Sequence, residues 1–174
     1  PPYASTAGDE AVALAALAGL KLDPWQQHVL RLGMGERPDG RWSAFEVCVN
    51  VPRQNGKGAI IEARELWGLF LGGERLILHS AHEFKTAKVA FKRIEALIKG
   101  CPDLHKRVKA FRYTVGEEAV ELHTGQTLRF IARSGGSVCR SDPVRSAHSN
   151  GGPHAAVHED PDRPRRRCDC PADR

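Results

Sequence analysis

The spacing of apolar residues changes several times along the chain, and each change marks an element. Glu10–Leu20 is rich in Ala and Leu and favours helix. Asp23-Pro24 supplies an N-cap and a first-turn proline, and Trp25, Val29 and Leu32 recur at helical spacing over Trp25–Leu32. Gly33–Gly40 is polar and glycine-rich, a loop. Over Ala44–Val51 the period drops to two, with Phe45, Val47, Val49 and Val51 on one face, which predicts a strand. Ala59–Leu71 returns to a helical pattern through Ile60, Ile61, Leu66, Trp67, Leu69 and Phe70, and Gly72-Gly73 ends it. Arg75–Ala81 predicts a short buried strand. Glu83–Lys99 predicts an amphipathic helix through Ala87, Ala90, Phe91, Ile94, Leu97 and Ile98, broken at Cys101-Pro102. Glu118–His123 and Gln126–Arg133 flank Thr124-Gly125 and predict a hairpin or a pair of strands. This order is that of an α/β domain with a mostly parallel sheet.

The pattern stops at Val138. From there to Arg174 the chain has no Leu, Ile, Phe, Tyr, Trp, Met or Lys. Such a segment cannot bury enough apolar surface to offset the entropy of ordering it, so residues 138–174 are expected to be a disordered tail. Its Cys139, His148, His154, His158, Cys168 and Cys170 include one His-x₃-His pair, but Cys168 and Cys170 stand too close for a zinc module. The five cysteines of the whole chain are odd in number and irregularly spaced, which speaks for free thiols. A net charge of +5 favours a polyanionic partner such as nucleotide or nucleic acid. No apolar run is long enough to span a membrane, and the Ala11–Leu20 run lacks the basic flank and cleavage site of an export signal. A cytoplasmic location is expected. The opening Pro1-Pro2, without Met, reads as a fragment or a processed form.

Chemistry is concentrated in "VNVPRQNGKGAI", residues 49–60. A phosphate loop needs Gly, four residues, then Gly-Lys-Ser/Thr, between a strand and a helix. Here Gly56-Lys57 are in place, Val51 holds the leading Gly position and Gly58 the hydroxyl position. Backbone amides at such a turn and helix start point at an anion, and the helix dipole favours negative charge there. Lys57 would reach the phosphates, and Arg53 adds a second cation. The competing reading is a solvated basic turn.

"VPRQNGKG" resembles the deviant Walker A loop of the large terminase subunit of tailed bacteriophages, the motor that packages DNA into proheads. Three further stretches resemble that family in the same order: "LDPWQQHVL" its adenine-binding motif, "ERLILHSAHEFKTA" its next strand and helix, and "LHTGQTLRFIARSGGS" the strand pair before Walker B. The resemblance covers about residues 20–137 and is close to actinobacteriophage versions. It implies a P-loop NTPase three-layer sandwich over residues 23–137, preceded by a helical lead over residues 1–22. It further implies ATP as ligand, with Lys57 and Arg53 as the catalytic cations. Trp25, Gln26, Pro52, Arg53, Gln54, Asn55, Gly56, Lys57, Gly58 and Ala59 would form the nucleotide site, with Gln26 reading adenine. The side-chain amide both donates and accepts, as an adenine edge requires. Double-stranded phage DNA, the portal protein and the small terminase subunit are the implied partners.

The sequence departs from that family in two places. Gly58 replaces the hydroxyl residue that would bind Mg²⁺, so the metal is implied by the resemblance without its loop ligand. After Ser137 no apolar strand ending in Asp-Glu follows, so the Walker B acid and the water-activating Glu are missing. The expectation is therefore a domain truncated before Walker B, with nucleotide binding kept and hydrolysis lost. A frameshift or deletion in a high-GC gene would produce a tail of this composition. The alternative is a non-catalytic basic module that binds DNA. His79, Ser80 and His82 read as ordinary residues at a strand end and helix entry.

Overall fold

The computed structural model describes residues 2–52, 54–114 and 118–133. Arg53 and the whole of 138–174, with the expectations placed on them, lie outside the described residues. A short N-terminal strand, β1 (Ser5–Thr6), leads into α1 (Gly8–Leu17) and α2 (Pro24–Gly33), after which β2 (Gly35–Glu36) pairs back antiparallel on β1. The long helix α3 (Lys57–Phe70) follows the Gly-Lys turn. Then come β3 (Leu76–Ala81), α4 (Phe84–Gly100), the short α5 (Pro102–His105), and β4 (Val108–Arg112), β5 (Glu118–Leu122) and β6 (Thr127–Ala132).

The main sheet has the order β3-β6-β5-β4. Only β3 and β6 run parallel; β6 with β5 and β5 with β4 are antiparallel. The mostly parallel sheet expected from the pattern is thus a mixed one. The reason is local: the connections from β4 to β5 and from β5 to β6 are short, and short connections force antiparallel neighbours. β4 went unread because its register shifts between Val108 and Ala110, which breaks the period of two.

One face of this sheet is covered. Ile77, His79 and Ala81 of β3 stand opposite Leu128, Phe130 and Ala132 of β6, and Val120 of β5 stands opposite Leu128. α4 lays Ala87, Phe91, Ile94 and Ile98 onto that face. Phe91 meets Phe130 edge-on, with ring centroids 5.5 Å apart. α3 packs beside α4, and α1 and α2 pack behind α3 in a continuous apolar core. Trp67 of α3 ties these layers together by donating from Nε1 to Glu10 Oε2 of α1 at 2.9 Å.

The opposite face carries Leu76, Leu78, Arg129 and Ala119, and no described helix covers it. Leu76 and Leu78 are 36% and 44% exposed. The expected three-layer sandwich therefore has helices on one side only among the described residues, and β3 is buried on one face rather than both.

The strand expected over Ala44–Val51 does not form. Phe45 is fully exposed and Val47 half exposed; Val49 packs against the core from an irregular segment. A strand needs a neighbour for its backbone donors and acceptors, and this stretch pairs with neither described sheet. Its alternating pattern survives in the sequence without the pairing that would make it a strand.

Candidate functional site

The Gly-Lys turn does sit on a helix start. Gly56 is the N-cap of α3 and Lys57 its first residue. Gly56 has φ +75°, a left-handed conformation that glycine adopts without a steric penalty. Gln54 also has positive φ, +65°, the one non-glycine among the described residues to do so. Side chains with a Cβ rarely adopt this conformation, and it persists only where the surroundings enforce it. Two left-handed residues with Asn55 between them fold the chain tightly onto the end of α3.

The turn is held from behind by α2. Asp23 caps that helix, Pro24 is its first residue, and the Gln26 side chain reaches back to accept from the Asp23 N–H at 2.7 Å. The other end of the same amide donates from Nε2 to the Gly56 carbonyl at 3.0 Å. Gln26 is 4% exposed, so in this arrangement it links the cap of α2 to the turn before α3 and presents neither end of the amide to solvent. Lys57 donates from Nζ to the Val51 carbonyl at 2.9 Å and so closes the loop on itself.

A hollow of about 570 Å³ opens in front of the turn, lined by Asp23, Trp25, Val51, Gln54, Asn55 and Gly56. That volume is in the range of small-molecule sites. Trp25 serves two purposes, since it lines the hollow and packs partly against the core. Pro52 is exposed at the loop's edge and Ala59 is buried in the first turn of α3. The structure thus brings Trp25, Gln26, Pro52, Gln54, Asn55, Gly56, Lys57, Gly58 and Ala59 into one neighbourhood, while Arg53 lies outside the described residues.

Behind the loop is a group of buried charges that the sequence pattern passed over. Glu62 and Glu65 lie within the buried stripe of α3, at 3% and 5% exposure. Arg93 of α4 pairs through Nε with Glu62 Oε1 at 2.9 Å, and His79 Nδ1 of β3 lies 2.6 Å from Glu65 Oε1. Oε2 of each glutamate has no hydrogen-bond partner among the described residues. Burial pushes the Glu62 carboxyl above its usual range, against the pull of Arg93 and with the help of the Glu65 charge. Burial likewise raises Glu65, opposed by its bond to His79. For His79, burial works to lower the imidazole pKa, but the bond to Glu65 and the charges of both glutamates together leave it raised. The signal was present as two acids inside an apolar helical stripe, which an amphipathic reading assigns to the solvent side.

Comparison with known proteins bears on the fold. No family model matches the chain, and no curated protein does either. Among solved structures, the fold is similar to that of the large terminase of bacteriophage HK97. The match covers 75% of this chain with a TM-score of 0.61, at 18% sequence identity. It spans 28% of that terminase. The chain therefore has a terminase-like α/β fold over most of its length and corresponds to a small part of the larger protein. No helix among the described residues is long and apolar enough to cross a membrane.

Proposed function

We propose that this chain is part of a phage large terminase subunit, derived from the ATPase that drives DNA packaging, and that it binds nucleotide without turning it over. The observation that carries the reading is the position of Lys57 at the head of α3, next to a hollow lined by Trp25, Gln54, Asn55 and Gly56. The terminase-like fold supports it. In this reading the triphosphate lies against the Gly56-Lys57 turn and the first turn of α3. Lys57 leaves the Val51 carbonyl for the phosphates, Arg53 supplies a second cation, and Trp25 offers its ring to the base. Gln26 reads adenine only by giving up its bond to Asp23 or to Gly56.

In this reading the hydrolytic step is lost. The sequence after Ser137 holds no apolar strand ending in Asp-Glu, so little or no steady-state turnover is expected. Double-stranded phage DNA, the portal protein and the small terminase subunit are the partners this reading implies, in the host cytoplasm.

The test is thermal stability with and without ATP. Ligand that binds only the folded state raises the melting temperature, by an amount that grows with the logarithm of one plus the ratio of ligand concentration to Kd. ATP is expected to raise the wild-type value, and Lys57→Ala to abolish that rise while leaving the unliganded melting temperature nearly unchanged. An ATP effect equal in wild type and Lys57→Ala would refute the loop assignment. ATPase turnover that disappears in Lys57→Ala would refute the loss of hydrolysis.

One observation favours a second reading, a basic module that binds DNA without nucleotide. A hollow of about 490 Å³ on the uncovered sheet face is lined by Arg75, Arg112 and Arg129 with Glu121 as the single acid. Arg112 forks onto Glu121 at 3.1 Å through both Nε and Nη2. DNA affinity that falls steeply with salt and ignores both ATP and Lys57→Ala would select this reading over the first.

A further inference from the structure

At the start of α3, a guanidinium stands where a phosphate loop ordinarily places its metal-binding hydroxyl. Gly58 is the second residue of α3, directly after the loop lysine. The residue in that position normally offers a Ser or Thr hydroxyl to Mg²⁺. Gly58 has no side chain, and Glu62 and Arg93 border the space beside it. A Cβ at Gly58 would meet Glu62 Oε1 at 3.5 Å and Arg93 Nη1 at 3.6 Å. Among the described residues, no group of three His, Cys, Asp or Glu side chains is arranged to hold a metal ion. Gly58 therefore gives Mg²⁺ no side-chain oxygen at its usual place in such a loop.

Arg93 is well placed to do the same electrostatic work. It rises from the middle of α4, and its Nε pairs with Glu62 Oε1 at 2.9 Å. Glu62 is rooted in the core, so it fixes the guanidinium across the first turn of α3. The Arg93 side chain is still 54% exposed, which leaves part of its fork open. A guanidinium offers several donors in one plane and grips phosphate oxygens in pairs, and it keeps its charge at any working pH. Among the described residues, Glu62 is the one carboxylate paired with it, and Lys57 stands one residue from Gly58.

We propose that Arg93, positioned by Glu62, takes the role of the divalent cation on a bound triphosphate, so that nucleotide binding by this chain does not require Mg²⁺. The inference rests on the reading of residues 52–58 as a nucleotide loop. Arg93 would be a binding residue and Glu62 a positioning residue.

The experiment is titration of the full chain with a fluorescent methylanthraniloyl-ATP, once in excess EDTA and once in millimolar Mg²⁺. Wild-type affinity is expected to differ by less than about threefold between the two, a small step on the free-energy scale. Arg93→Ala is expected to weaken binding about tenfold or more in EDTA, as loss of a charge-assisted pair does. Arg93→Lys keeps the charge without the fork and should fall between. Glu62→Gln loosens the hold on the guanidinium and is expected to weaken EDTA binding by a few fold in the wild-type background but not in an Arg93→Ala background, a coupling that mere destabilisation does not produce. Circular dichroism on each variant reports folding, and where Arg93→Ala does not fold, the EDTA comparison and Arg93→Lys decide. Wild-type binding abolished by EDTA would overturn the proposal. So would an Arg93→Ala variant that binds like wild type while Lys57→Ala does not; in both cases the nucleotide loop itself stands. Wild type that binds in neither condition, or binding indifferent to Lys57 and Arg93 alike, would overturn the nucleotide reading and this proposal together.

Discussion

Gln26 shows how much one side chain can settle. The sequence pattern reads Asp23 as the helix cap, and the family resemblance reads Gln26 as an adenine contact. The structure uses it for the cap and for a second bond, to the carbonyl of Gly56 thirty residues away. That second partner is invisible in a local pattern, because it exists only once α2 and α3 pack together. Gln26→Ala removes both bonds and leaves the Asp23 amide without its acceptor and the Gly56 turn less supported. It is expected to cost about 1–2 kcal/mol, the usual range for a lost cap or buried hydrogen bond. Urea denaturation measures this. If the second bond matters to the loop, Gln26→Ala also weakens ATP-dependent stabilisation more than its own stability loss explains, and a Gln26→Glu variant, which keeps the cap acceptor but not the donor to Gly56, does so too.

At the scale of elements, α3, β3 and α4 meet around Glu62, Glu65, His79 and Arg93. The hydrophobic patterns of these three elements were all legible, and their bounds fall within a few residues of expectation. Their charged contacts were not, because pairing across elements depends on which faces meet. The His79–Glu65 pair is 2.6 Å long and mostly shielded from solvent. His79→Leu leaves the Glu65 carboxyl buried without its partner and is expected to destabilise by about 3 kcal/mol, the cost of breaking a buried pair. Adding Glu65→Met should recover most of that loss in chemical denaturation, because the double variant strands no charge. The pH dependence has a definite sign. The His79 pKa is raised in the folded state, so its contribution is complete below the ordinary imidazole value near 6.5 and is lost as pH rises through the higher folded value. Glu62 and Glu65 are also raised, and ionising them at higher pH works in the same direction. The melting temperature is therefore expected to fall as pH rises above about 6.5, and the fall should be shallower in the His79→Leu/Glu65→Met double variant.

At the scale of the molecule, the decisive feature is a sheet with one covered face among the described residues. Among the described residues β3 pairs only with β6, and Leu76 and Leu78 stand exposed beside that edge. An open strand edge next to exposed apolar side chains favours association between copies. Leu78→Thr keeps a β-favouring residue, removes the apolar group and leaves the buried face untouched. It is expected to lower concentration-dependent self-association in light scattering, with little change in melting temperature. Self-association unchanged in Leu78→Thr would place the sticky surface elsewhere, the exposed Phe45 segment being the next candidate.

By itself the sequence determined where four of the helices lie, two strands flanking Thr124-Gly125, and the Gly-Lys turn at the head of α3. These depend on neighbours within a few residues: side-chain periodicity, an N-cap, and glycine where φ must be positive. Tertiary structure alone decided that Ala44–Val51 is no strand, that the sheet is mixed and covered on one side, and that Gln26 and Arg93 converge on the loop. A strand exists only if another backbone accepts its hydrogen bonds, and a buried charge is tolerated only if packing brings it a partner. Both conditions are set by residues far apart in the chain, so no local pattern can contain them.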